Sequence, residues 1–139
     1  KLLYPISLDY EKNLPQIALR SEKIHHAILN LITNAMDALS DSTDKKIIIT
    51  LQVTKTPSPQ LKIQLQDNGP GIPKEIQDKI FDPFFTTKEI GKGTGLGLHI
   101  IKEIINEHHG EIHITNSDDY GGALFTILLP MNSDSSRIN

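Results

Sequence analysis

The chain has 139 residues, 37% of them hydrophobic and 22% charged, which fits one globular domain and excludes a disordered or fibrous polymer. Its net charge of −3 argues against a strongly basic nucleic-acid binder, and the lack of cysteine excludes disulfides, thiolate metal sites and a cysteine nucleophile. No apolar run reaches the length of a membrane span, and the N-terminus does not read as a signal peptide. The first residue is lysine, so the expectation is a piece of a longer protein.

From the N-terminus, residues 2–19 read as short strands around a turn at Asn13-Leu14-Pro15, with Ile6 and Leu8, then Ile17 and Leu19, alternating with polar neighbours. Ser21 to Leu39 is the clearest helix. Ser21 suits an N-cap and Glu22 suits the positive end of the helix dipole. Ile24, Ile28, Leu31, Ile32, Ala35 and Leu39 form one apolar stripe. Two alternating strands follow, the first on Ile47, Ile49, Leu51 and Val53, the second on Leu61, Ile63 and Leu65, joined by a hairpin loop. Their alternation predicts an antiparallel sheet with one buried face.

Residues 67–97 carry six glycines and three prolines, and only Lys74 to Ile80 has the character of a short helix. A loop of this length inside a small domain is usually functional. Leu98 to His109 predicts a second helix, with Gly110 past its end. Glu111 to Asn116 and Ala123 to Leu129 predict two closing strands around a turn at 117–122, and a polar tail follows Pro130. The element order is not the regular βαβα alternation of a dinucleotide-binding fold. It predicts an α/β two-layer sandwich, with a mixed, mainly antiparallel sheet and helices on one face.

Four stretches could carry chemistry. On the polar side of the first helix, His26, Asn30, Asn34 and Asp37 share a stripe. This is either a solvated face or a pair of amide oxygens set for a hard cation such as Mg²⁺. Asp67-Asn68-Gly69-Pro70-Gly71-Ile72-Pro73 suits a turn. It equally suits a pocket floor, where glycines admit a flat ligand and Asp67 accepts from an amine such as that of adenine. Three of the four phenylalanines, Phe81, Phe84 and Phe85, lie close together before Thr86, Thr87 and Lys88, a run suited to anchoring a lid. Gly91-Lys92-Gly93-Thr94-Gly95-Leu96-Gly97-Leu98 enters a helix and can offer backbone N–H groups to an anion. It is not a P-loop, because Lys92 is followed by Gly93. His108 and His109 fit the helix dipole better than a metal site, and His25 leans toward the apolar side as a packing residue.

Taken together, these stretches resemble the boxes of the sensor histidine kinase ATP-binding domain. Asn30-Leu31-Ile32-Thr33-Asn34-Ala35 resembles the asparagine box, Asp67 to Gly71 the first glycine box, Phe81 to Phe85 the phenylalanine box, and Gly93 to Leu98 the second glycine box. The resemblance implies the Bergerat ATP-binding fold shared with gyrase-type ATPases, Hsp90 and MutL. It implies ATP and Mg²⁺ as cofactors, with Asn34 on the metal, Asn30 at the phosphates, Asp67 on the adenine amine, and Gly69, Gly71 and Ile72 shaping the base pocket. Residues 86–98 would form the ATP lid. Thr86, Thr87, Lys88, Lys92, Gly93, Thr94, Gly95, Leu96, Gly97 and Leu98 would then bind the nucleotide, with Lys88 also catalytic alongside Asn30. The short lid and the Phe-Phe-Thr-Thr-Lys run resemble the nitrogen-regulation type. Asp37, counted with the cofactor-binding residues, stands where many members have lysine, and His99 where serine is common.

The resemblance further implies a catalytic domain over 1–130 with a tail over 131–139. No dimerisation helix with a phosphoacceptor histidine is recognisable, so the expected partners are that domain and a downstream response regulator, with no nucleic acid and no direct membrane contact. The expected location is the cytoplasm. The alternatives are a gyrase-, MutL- or Hsp90-like ATPase, in which a carboxylate stands where this chain has Asn30, and a nucleotide-sensing module without catalysis.

Overall fold

The computed structural model describes residues 6–10, 21–39, 44–54, 58–83 and 96–131. The expected strands and turn within residues 11–20 lie outside them, as does the tail from residue 132 onward. The described residues form five strands: β1 (Ile6–Tyr10), β2 (Ile47–Thr54), β3 (Gln60–Asp67), β4 (Glu111–Asn116) and β5 (Ala123–Pro130). They form one sheet in the order β1-β2-β3-β5-β4. β1 runs parallel to β2, and the other neighbours are antiparallel. The sheet is therefore mixed and mainly antiparallel, as the strand patterns predict.

Alternation selects the face of the sheet that is covered. On β3, Leu61, Ile63 and Leu65 are buried while the residues between them are half-buried. Register carries this face across to Phe125, Ile127 and Leu129 of β5 and to Ile47 of β2. The helices α1 (Ser21–Ala38) and α3 (Leu96–Glu107) supply the opposing layer. α1 buries Ile24, Ala27, Leu31 and Ala35, with Leu39 just past its end, and α3 buries Ile101, Ile104 and Ile105. Each leucine or isoleucine among these contributes roughly 1.5–3 kcal/mol on leaving water, and the alanines less. A Lys23–Glu107 ion pair of 2.9 Å joins the start of α1 to the end of α3, so the two helices lie antiparallel. Among the described residues, no helix is long and apolar enough to cross a membrane.

Three details depart from the sequence expectations. The short helix α2 covers only Lys74–Gln77. Turn hydrogen bonds from Lys79 N to Ile76 O and from Asp82 N to Lys79 O carry the chain onward, and Ile80 is buried there. His25 is exposed and does not pack, because Ala27 takes the buried position beside Ile24. The third departure is at the end of α3. Gly110 N donates to Ile105 O and His109 N to Asn106 O, the pair of bonds that closes a Schellman motif. The residue in the left-handed region is His109, with φ 61°, and not the glycine. Gly110 is required for a different reason: a Cβ there would stand 2.5 Å from Leu128 O of β5. The His108 ring also caps this end, its Nδ1 lying 2.9 Å from Ile104 O.

His109 thus carries the strain of a side chain at a position that suits glycine. His109→Gly is expected to stabilise the fold by about 1 kcal/mol, read as a rise in the denaturant midpoint at unchanged slope.

Candidate nucleotide site

The site begins with the period of β3. Asp67 follows Leu65 by two, so alternation places it on the same covered face as the core, at the very end of the strand. It is 3% exposed. A carboxylate in that position needs donors. Gly69 N donates to its Oδ1 at 2.9 Å and Ala123 N at 3.2 Å. Both bonds fall on the same oxygen, and Oδ2 takes neither. Burial raises the Asp67 carboxyl above its ordinary value of 3.8, and the two N–H bonds pull it part of the way back.

The segment after Asp67 is held from several sides. Asn68 ties it to the start of β2: its Oδ1 accepts from Lys46 N at 2.9 Å and its Nδ2 donates to Asp44 O at 2.7 Å. Gly71 adopts φ 79°, which favours glycine. Ile72 packs partly against the core. The turn between β4 and β5 closes over the same segment. Gly122 N donates to Asp67 O at 3.1 Å, and Ser117 N to Gly122 O at 2.6 Å. The buried Ser117 donates its hydroxyl to Gln66 Oε1 at 2.7 Å and accepts from Tyr120 N at 3.0 Å. A Cβ on Gly122 would collide with Asp67 Oδ1 and with the Asp67 carbonyl oxygen.

On α1, Asn30 and Asn34 are half-buried one turn apart, flanked by the exposed His26 and Asp37. They are thus not a freely solvated pair. Phe81 stacks edge-on against Phe125, with centroids 6.5 Å apart, and Lys102 Nζ lies 5.4 Å from the Phe81 centroid. Phe81 accordingly fastens the chain leaving α2 to β5 and α3. Phe84, Phe85, Thr86, Thr87, Lys88, Lys92, Gly93, Thr94 and Gly95 lie outside the described residues. α3 begins at Leu96, so Gly97 and Leu98 sit in its first turn.

The sequence reading placed Asp67, Gly69, Gly71 and Ile72 together, and the structure brings them together at the end of β3. Gln66, Gln77, Asn116, Ser117 and Gly122 hold that cluster from outside and are not singled out by the sequence. The one available signal was the Gly121-Gly122 pair, which reads simply as a turn.

An open sheet with two antiparallel helices on one face, and a buried aspartate at a strand end beside a glycine turn, is the architecture of a nucleotide-binding catalytic domain of the histidine kinase type. The catalytic domain of histidine kinase ThkA superposes with a TM-score of 0.77 at 32% identity, over 92% of this chain and 80% of that one. The chain belongs to the family described as histidine kinase-, DNA gyrase B- and HSP90-like ATPase, whose model matches residues 20–133. Its relatives include the signal transduction histidine-protein kinase AtoS of Escherichia coli (strain K12), 38% identical over 93% of this chain and 20% of the relative. They also include the sensory histidine kinase/phosphatase NtrB of Vibrio alginolyticus, 36% identical over 91% of this chain and 37% of the relative. The chain thus spans well under half the length of these relatives.

Proposed function

We propose that this chain is the catalytic ATP-binding domain of a sensor histidine kinase. It binds Mg-ATP and donates the γ-phosphate to a histidine on a separate dimerisation domain, for onward transfer to a response regulator in the cytoplasm. The observation that carries the reading is Asp67: a buried carboxylate with Oδ1 held by two backbone donors. Such an acceptor matches the exocyclic amine of adenine, and Gly71 lets the turn beside it close against Asn116 and Gly121.

The donor set suits Mg²⁺. Among the described residues no group of three or more His, Asp or Glu forms a self-contained metal cage. A metal bound through Asn34, with Asn30 beside it, must complete its shell with water and phosphate oxygens, which is the habit of Mg²⁺. When bound, the ion supplies charge neutralisation at the phosphates. The chain's own part is positioning. Asp67 orients the base, Asn30 and the first turn of α3 face the phosphates, and Lys88 and Lys92 of the lid add positive charge there. Asp37, Thr86, Thr87 and Thr94 complete the proposed contact set.

A second reading, an ATPase of the gyrase kind, meets an obstacle at Asn30. An amide cannot take a proton from water. With γ-labelled ATP, this chain alone should bind the nucleotide, carry no label and release phosphate slowly. Adding the separate dimerisation domain should yield acid-labile, base-stable label on that domain. Label on a histidine of this chain alone would overturn the division of labour, and rapid phosphate release would favour the ATPase.

A further inference from the structure

The Ile72 backbone is gripped by side chains from two elements, the distant β4 and the neighbouring α2. Ile72 N donates to Asn116 Oδ1 at 2.8 Å, and Asn116 Nδ2 donates back to Ile72 O at 3.0 Å. Gln77 Nε2, at the end of α2, donates to the same carbonyl at 2.9 Å. Asn116 therefore pairs with Ile72 as a strand would, using a side-chain amide in place of a peptide. The fit is close: a Cβ on Gly71 would stand 2.9 Å from Asn116 Oδ1 and 3.2 Å from Gly121 O. Asn116 is the last residue of β4 and pairs in register with Ala123, whose N–H holds Asp67. One hairpin thus fixes both Asp67 and the Ile72 end of the glycine turn.

We infer that Asn116 is a positioning residue for the nucleotide base, acting through the Ile72 peptide. The inference rests on the nucleotide reading of the Asp67 pocket. Asn68 and Ile72 anchor the ends of the glycine turn, but Gly69 and Gly71 between them have no side chain to pack, so the peptide there depends on hydrogen bonds from other elements. Without Asn116, the turn samples other conformations, and ligand binding must first select the competent one, which lowers apparent affinity. Gln77 plays a lesser part, because Ile72 O retains the Asn116 donor when Gln77 is removed. With both removed, Ile72 loses every one of these partners.

The test uses calorimetry on this chain with adenosine and with ATP. Asn116→Ala should bind both roughly tenfold more weakly, the equivalent of one lost hydrogen-bonding group. The loss should be equal for the two ligands, because the turn faces the base and not the phosphates. Gln77→Ala should stay within about threefold of the parent, and the double variant should lose more than the product of the singles. A merely structural Asn116 would lower the melting temperature while leaving the affinity of the folded protein unchanged, and that result would overturn the inference. A loss confined to ATP, or strict additivity in the double variant, would overturn it as well. Asp67→Asn in the same series separates the two levels. If it leaves adenosine affinity intact, the nucleotide reading itself fails. If it weakens adenosine while Asn116→Ala does not, only the positioning role fails.

Discussion

Gly122→Ala is expected to lower ATP affinity by roughly a hundredfold or more, equivalent to losing the full hydrogen-bonding role of one charged group. Nothing in the substitution touches ligand directly. The added methyl would occupy the space of Asp67 Oδ1 and the Asp67 carbonyl, with Gly69 N at 2.6 Å. These atoms belong to backbone and to a buried carboxylate, so none can swing aside as the tip of a long side chain could. Either Asp67 turns out of its place or the β4–β5 turn lifts and breaks the Gly122 N to Asp67 O bond. Overpacking of this kind also costs stability, about 1–3 kcal/mol. The neighbouring Gly121→Ala is the control. A Cβ there meets nothing within 4 Å, but φ is 85°, so the substitution is strained without reaching the pocket. It should lose about 1 kcal/mol of stability and keep near-parental ATP affinity. Denaturant unfolding and calorimetry on both variants check the pair. Parental affinity in Gly122→Ala would show that the pocket is not where Asp67 is.

This contrast also shows which parts of the molecule are legible in a linear sequence. The α1 stripe and the β3 alternation are periodic, and a period needs no knowledge of the partner surface, so both are legible in the sequence alone. Ala27 is silent in the sequence because a small residue carries little hydrophobic signal, although it is fully buried. The glycines illustrate the limit. Gly110 reads as a helix stop, and it does follow the helix end, but its reason is the approach of Leu128 O, while His109 takes the left-handed turn. Gly122 reads as half of a turn dipeptide. Its role depends on Asp67, 55 positions earlier, reached only because β3 and β5 are paired in register. Asn116 and Ile72 are 44 residues apart, and no local pattern announces their hydrogen bonds. Recognisable boxes thus mark the groups proposed to face the ligand, while the residues that hold those groups come from long-range pairing.

Asp67→Asn should separate stability from function in opposite directions. The folded protein holds the Asp67 carboxyl above its ordinary 3.8 because burial disfavours the charge. Between 3.8 and the raised value, the folded state binds more protons than the unfolded state. The contribution of this group to stability is therefore fully present below 3.8 and is lost as pH rises through the folded value. At neutral pH the ionised carboxylate works against the fold. Asparagine keeps an oxygen for the N–H groups of Gly69 and Ala123 and carries no charge to desolvate, so the ligand-free variant should melt higher than the parent at pH 7. The gain should shrink as pH falls through the raised value toward 3.8, where the parent carboxyl is itself neutral. Binding should move the other way. Exchange of a charged acceptor for an amide costs about 1.5–3 kcal/mol at a buried hydrogen bond, or roughly 10- to 100-fold in affinity for an adenine nucleotide. GTP, which presents an oxygen where ATP presents an amine, should lose far less, so the preference for ATP over GTP should narrow. Thermal melts across pH, paired with competition between the two nucleotides, measure both effects on one protein. A variant that melts lower at pH 7 would contradict the burial argument, and an unchanged ATP preference would remove Asp67 from the base pocket.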